Sequence, residues 1–347
     1  MHEHIAVRRW LMACIVSVFF AVVIGGITRL TESGLSITEW KPVAGVFPPM
    51  NEAAWDDALR KFQQIPQAQT THAGITMAQF KWIYWWEWFH RIAARAVGLV
   101  FAIPFLYFVA KGTMPQRYAM RLAWLPLLTL AQGVLGWYMV SSGLEVRTEV
   151  SAYRLAAHLT LALTILVIAL WTWADLDPRR EEVRAEAPWR WAVLGVVSLL
   201  AITVVSGAFV AGLRGGKVFN EFPLMGGQVV PPGYQALVGW WTNAFENPVA
   251  AQFHHRVLAT LTGILSLVLA WRARPEILGE YGATAVRWFG MAIAVQFGLG
   301  IVTLLMAVPV ALGVLHQFVG TLALTLGVLA VHAVWVPLRH EPAAAAG

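Results

Sequence analysis

Glu87-Trp88-Phe89-His90-Arg91 and Gln252-Phe253-His254-His255-Arg256 are two versions of one phrase, set nearly half the chain apart in a sequence of 347 residues. Each stands where a polar, tryptophan-rich loop gives way to a long apolar run. Each places a histidine before an arginine, with a hydrogen-bonding side chain three residues back: the carboxylate of Glu87 in one, the neutral amide of Gln252 in the other. An ionisable group at the mouth of an apolar helix is costly to keep there, so both phrases are functional candidates from the outset. Their doubling implies a chain built in two related halves.

The composition around them fits a membrane protein. Hydrophobic residues make up 58% of the chain and charged ones 13%, with a mean hydropathy of +0.62; a soluble domain is about one quarter charged. Apolar runs of about 18 residues or more, enough to cross a bilayer core, recur along the sequence. The expected fold is all-α and polytopic, with eight spans at about 10–29, 87–110, 119–141, 154–173, 189–211, 251–271, 286–307 and 311–336.

Basic residues gather in short loops on one side: Arg8 and Arg9; Lys111, Arg117 and Arg121; Arg179, Arg180, Arg184 and Arg190; Arg272, Arg274 and Arg287; Arg339. The positive-inside rule makes that side cytoplasmic and puts both termini there. The net charge of +6 belongs to these loops and signals no nucleic-acid partner. Many of the 18 tryptophans border apolar runs, where indole suits the headgroup zone. The single cysteine, Cys14, lies within the first run, so an intramolecular disulfide is impossible. The long apolar stretch after Arg9 reads as an uncleaved first span rather than a signal peptide. No organelle transit peptide is recognisable ahead of it, which points to a bacterial inner membrane.

Outward from the paired phrases the repeat continues. Gly98 and Gly263 share the offset that relates His90 to His255. Gln132-Gly-Val-Leu-Gly136 matches Gln296-Phe-Gly-Leu-Gly300 at nearly the same offset, and His158 matches His316 at a slightly shorter one. The halves are expected at 1–180, with a long outer loop at 30–86, and 181–347, with an outer loop at 212–250. Four spans per half is an even number, so the halves run the same way: two pseudo-symmetric four-helix bundles about an axis along the membrane normal. In the first loop Trp55, Leu59 and Phe62 share one helical face, which suggests a short helix on the outer membrane surface or an ordinary exposed one.

Spans 2, 4, 6 and 8 carry His90, His158, His255 and His316 near their outer ends, at similar depth. Two histidines on neighbouring helices at one level can hold a haem iron from both faces. Zinc is disfavoured, because the pattern lacks a third or fourth ligand at close spacing. A lone intramembrane histidine is more often structural; four at repeat-matched positions tip the balance to ligation. His254 points about 100° away from His255, His332 has no partner in the repeat, and His2, His4, His72 and His340 lie in tails or loops. Arg91 and Arg256 follow the proposed ligands and suit haem propionates, against the plainer reading of interfacial snorkelling. Glu87, one turn before His90, is placed to act as a base or to stabilise positive charge. The plainer alternative is an acid that favours a helix N-terminus. Its replacement by Gln252 in the other half argues for chemistry.

With these residues in hand the chain resembles the haem A synthase family. The resemblance runs from Gly25-Gly-Ile-Thr-Arg29-Leu-Thr-Glu-Ser-Gly34 through both histidine phrases to Leu315-His316-Gln317. It implies oxidation of the C8 methyl of haem O to a formyl group, giving haem A for terminal oxidases. It implies that Glu87, His90 and His158 serve the substrate haem, and that His255 and His316 hold a haem B cofactor. Haem O and haem A, membrane lipid, the haem O-producing prenyltransferase and an electron-transfer partner are the implied contacts, with a homo-oligomer left open. Some members carry a cysteine pair in the first outer loop; this chain has none there and resembles the cysteine-free branch of proteobacteria and mitochondria. If both haems have two histidine ligands, either a substrate-site histidine dissociates to admit dioxygen, or electrons leave the macrocycle and a water-derived oxygen attacks the methyl carbon.

Two rivals are weaker. A di-haem electron carrier of the cytochrome b kind usually places two histidines on one helix and stacks its haems across the membrane. A transporter would show broken helices and paired acids near the bilayer middle. Neither accounts for the Glu87/Gln252 difference.

Overall fold

A computed structural model describes residues 2–40, 44–145, 150–177 and 185–336. Its α-helices are, in order, α1 (His2–Leu30), α2 (Glu52–Phe62), α3 (Pro66–Thr70), α4 (Met77–Ala110), α5 (Ala119–Glu145), α6 (Ala152–Asp175), α7 (Ala187–Gly212), α8 (Trp240–Glu246), α9 (Pro248–Arg272), α10 (Pro275–Leu305) and α11 (Val310–Trp335). Eight of them, α1, α4–α7 and α9–α11, are long and apolar enough to cross a membrane. The all-α class and the eight spans are as the sequence implies. Arg179, Arg180, Arg184, Arg339, His340, the boundary at 180/181 and the side chains of His2 and His4 lie outside the described residues.

Three spans begin well ahead of what hydropathy suggests, the first of them α1, at His2 rather than near 10. Helix α4 starts at Met77, well ahead of the expected 87. Thr76 and Gln79 form a capping box: the Gln79 amide donates to Thr76 Oγ1 at 3.3 Å and the Thr76 amide donates to Gln79 Oε1 at 3.0 Å. At about 1.5 Å per residue, 34 residues outreach a hydrocarbon core, so the first turns of α4 stand clear of it as a stalk. Helix α10 starts at Pro275 rather than near 286, with a break at Gly279, whose φ of 71° only glycine adopts cheaply.

The stalk organises the first outer loop. Asn51 caps α2, accepting from the Ala54 amide at 2.9 Å. The shared face of Trp55 and Phe62 is indeed helical, but it is buried in protein rather than laid on a membrane. Trp55 meets Tyr84 with ring centroids 4.9 Å apart, and Phe62 meets Phe80 at 5.3 Å. Leu35, Ile65 and Ile83 complete this small second core.

Packing among the long helices follows one order twice. In the first half α1 packs on α4, α4 on α5, α5 on α6 and α6 back on α1; in the second, α7, α9, α10 and α11 close in the same sequence. The halves meet through α1, α6, α7 and α11. The main apolar core fills the end where α1 begins and α11 finishes, from Phe101 on α4, Leu163 on α6, Leu269 on α9 and Ala323 on α11. The buried side chains a turn or two along the chain from His90, His158 and His255 include Ala93, Ala156, Ala250 and Ala251, beside Glu87 and Gln252.

A polar seam ties the halves at both ends. At the loop end Arg29 donates to the carbonyls of Ala211 (2.7 Å) and Gly212 (3.2 Å), satisfying the last turn of α7. Beside it Glu32 pairs with Arg214 at 3.1 Å, both residues in left-handed backbone with φ of 56° and 53°. At the other end His332, for which the repeat offered no partner, meets Asp175 of the opposite half at 3.0 Å, and Arg121 reaches the same carboxylate at 2.6 Å.

Candidate functional site

The four repeat-matched histidines share one local geometry. Each sits on α4, α6, α9 or α11 and lays its ring against a glycine of a neighbouring helix. A β-carbon built on Gly25 of α1 would stand 3.1 Å from Cε1 of His90, and one on Gly136 of α5 would stand 3.1 Å from Cε1 of His158. The corresponding distances are 3.0 Å from Gly207 of α7 to His255 and 3.0 Å from Gly300 of α10 to His316. Any larger residue at these four positions would have to push an imidazole aside. Within each half the two histidine-bearing helices occupy opposite corners of the bundle, with the glycine-bearing helices between them. His90 and His158 are near enough to interact electrostatically, and so are His255 and His316.

Glutamines complete the pattern. Gln132 donates to the backbone carbonyl of His158 at 2.9 Å, and Gln296 donates to that of His316 at 3.0 Å. The repeated Gln-x-x-x-Gly motif thus has a physical meaning: the glutamine pins the helix that presents the histidine, and the glycine one turn on makes room for the ring. His316 Nε2 lies 3.3 Å from the Gln296 amide, whereas Nε2 of His90, His158 and His255 makes no hydrogen bond among the described residues.

The rings differ at Nδ1. In His90, His158 and His316 this atom is buried without a hydrogen-bond partner. In His255 it is 2.9 Å from Ser206 Oγ and 3.1 Å from the Thr203 carbonyl.

Glu87 and Arg91 build the roof. The Glu87 carboxylate is buried, with Oε1 accepting from Arg91 Nε (3.0 Å) and Nη2 (2.6 Å), and Oε2 accepting from the Ile37 amide (2.7 Å) and Ser36 Oγ (2.8 Å). All of its lone-pair sites are engaged. Arg91 also donates to the carbonyls of Ile37 (2.7 Å) and Glu39 (3.1 Å). In the second half Arg256 donates to Phe219 (2.8 Å) and Glu221 (2.8 Å), and Gln252 Nε2 donates to Phe219 (2.9 Å). A carboxylate that receives a loop amide thus becomes, at Gln252, an amide that gives to a loop carbonyl. Glu87 lies well inside α4, so the helix N-terminus reading does not apply to it.

This arrangement suits a flat metallocycle gripped between opposed imidazoles. Each ring stands on a glycine cradle, and at His255 the partners of Nδ1 leave Nε2 as the nitrogen free to ligate. Among the described residues no group of three or more His, Cys, Asp or Glu side chains comes together as a bare-ion site. Of the sequence-picked glycines, a β-carbon built on Gly98 would meet nothing within 4 Å and one on Gly263 only the Phe297 ring at 3.8 Å. Gly207 and Ser206 escaped the sequence reading, although laying α1 over α7 in the repeat, Gly25 upon Gly207, would have found the glycine. His254 takes part elsewhere, with Nε2 2.9 Å from Tyr234 Oη.

Known proteins resemble this chain over most of its length. The cytochrome oxidase assembly protein family matches residues 8–328. A haem A synthase of Bradyrhizobium sp. (strain BTAi1) is 44% identical over 331 residues, covering 93% of this chain and 90% of the relative. One from Parvibaculum lavamentivorans is 44% identical over 315 residues, with 91% and 90% covered. One from Rhizobium meliloti is 43% identical over 317 residues, with 90% and 85% covered.

Proposed function

Because this chain belongs to the haem A synthase family, we propose that its two bundles hold two haems with separate duties. The chain is a multi-pass membrane oxidoreductase that turns haem O into haem A. The observation that carries the finer reading is the set of four imidazoles on four glycines, two in each bundle. His90 and His158 take the iron of the substrate haem O. His255 and His316 hold a haem B, which supplies one-electron redox capacity when bound.

Glu87 favours positive charge developing on the substrate beside His90. A base would need a free lone pair, and each of its sites is already held by Arg91, Ile37 or Ser36. One N–H of Arg91 and the Nε of Arg256 remain to meet haem propionates, while their other donors close the outer loops over the sites. The ring methyl is oxidised twice, each step replacing one C–H by C–OH: two electrons and two protons are given up where the oxygen comes from water, or taken up where it comes from dioxygen, and the resulting geminal diol loses water to leave the formyl group. Arg8, Arg9, Lys111, Arg117, Arg121, Arg190, Arg272, Arg274 and Arg287 lie at the end where α1 begins and α11 finishes, so that end faces the cytoplasm and the haem sites face the periplasm of a bacterial inner membrane. Haem O arrives from the lipid or from its prenyltransferase, and a partner protein exchanges the electrons.

Pigment extraction from membranes of a host that makes haem O tests this reading. Haem A is expected with the wild type, and accumulated haem O or a hydroxylated intermediate with His158→Ala. If the wild type binds only haem B and leaves haem O unchanged with reductant and oxygen supplied, the chain is an electron carrier instead.

A further inference from the structure

We propose that Ser206 and the Thr203 carbonyl fix His255 as the permanent ligand of a resident haem, and that the absence of such partners at His90 lets the other haem be exchanged. This rests on the two-haem reading above. A carbonyl oxygen can only accept, so its contact of 3.1 Å with His255 Nδ1 puts the proton on Nδ1. Ser206 Oγ donates its own hydrogen to the Thr203 carbonyl at 2.7 Å, which leaves a lone pair for the same Nδ1–H at 2.9 Å. The tautomer is thereby set, and Nε2 presents a bare lone pair.

The acceptor is itself held in place. Thr203 Oγ1 donates to the Leu199 carbonyl at 2.8 Å and meets Thr262 Oγ1 at 3.0 Å, on the helix that carries His255. Donation from Nδ1 gives an imidazole more imidazolate character, which strengthens its bond to a metal and favours the oxidised ion.

The first half lacks this device. With Gly25 laid upon Gly207, the positions matching Thr203 and Ser206 are Ala21 and Ile24. Neither has a hydroxyl, and His90 Nδ1 is buried without a partner. The other two ligands do not differ in this way: Nδ1 is unpartnered in both His158 and His316, and a glutamine holds the carbonyl of each. At Nδ1, therefore, the halves differ at His255 against His90 alone. A ligand with no second anchor can turn away from the iron without breaking a hydrogen bond, as release of a product haem demands.

The test uses the full-length protein purified with both haems. Midpoint potentials are read by spectroelectrochemistry, and haem loss is read by transfer to apomyoglobin. In Ser206→Ala one potential should rise while the other stays, and the corresponding haem should leave about tenfold faster. Ser206→Thr, which keeps the hydroxyl, should behave as the wild type. Ile24→Ser, which offers His90 the missing partner, should lower the other potential and slow loss of the other haem. If both haems keep two histidine ligands by electron paramagnetic resonance, yet neither Ser206→Ala nor Ile24→Ser changes potential or transfer rate, the proposal is overturned. Ile24→Ser decides alone should Ser206→Ala fail to accumulate. Fewer than two such haems in the wild type would instead sink the two-haem reading beneath it.

Discussion

At Gly300 a β-carbon would stand 3.0 Å from the His316 ring, closer than nearly all real contacts of that kind. Replacing a helical glycine by alanine is worth about 1 kcal/mol to the helix itself. Gly300→Ala should therefore keep its helicity by circular dichroism while the pyridine haemochrome assay finds one haem fewer per chain; full haem content would refute the cradle. Gln132→Leu removes the donor to the His158 carbonyl at a cost of about 1 kcal/mol. Its expected sign is a faster exchange of the substrate haem, measured by transfer to apomyoglobin, with the overall helix content unchanged. At this scale the sequence was partly legible. The repeat exposed all four histidines and two of the four cradle glycines in their Gln-x-x-x-Gly motif, because residues that do the same job recur. It also promoted Gly98, where a β-carbon would meet only open space, since recurrence says that a position matters and not what stands opposite it.

Helix α4 does two jobs that hydropathy alone cannot separate. Its lower part crosses the membrane, and its first turns carry the first outer loop through the Trp55, Phe62, Phe80 and Tyr84 cluster and the Glu87–Arg91 pair. The tryptophans of residues 82–88 blurred the distinction between loop and helix, while the capping box at Thr76 was readable and marked the true start. Removing one partner of a buried ion pair costs about 3–5 kcal/mol. Glu87→Gln leaves Arg91 without its carboxylate, and the loop should part from the stalk. Limited proteolysis should cut within residues 44–76 faster than in the wild type, and haem A formation should fall. If activity falls with the loop still protected, the Glu87 charge acts on the substrate without a share in holding the roof.

The whole molecule is held together by elements that sequence periodicity leaves anonymous. Hydropathy counted the spans, and the repeat divided them four and four, but nothing in either showed that α1, α6, α7 and α11 would form the seam. Nor did they show that His332 would find its acid in the other half. Asp175→Asn should lower the thermal unfolding midpoint in detergent by weakening contacts to both His332 and Arg121, while the haem spectrum stays as in the wild type. An unchanged midpoint would show that this cluster adds nothing to the joint between the halves. The Glu32–Arg214 contact carries a different message. These two residues stand at matching points of the repeat, in the register that lays Gly25 upon Gly207. Two identical subunits facing each other there would set like against like, glutamate on glutamate or arginine on arginine, and repel. Once the two copies are no longer bound to be identical, each can drift to its own charge, and from then on neither half has a reason to prefer a second copy of itself. A pairing of opposites at this point makes the partnership of the halves monogamous, and one-sided specialisation of their haem pockets becomes something that evolution can keep.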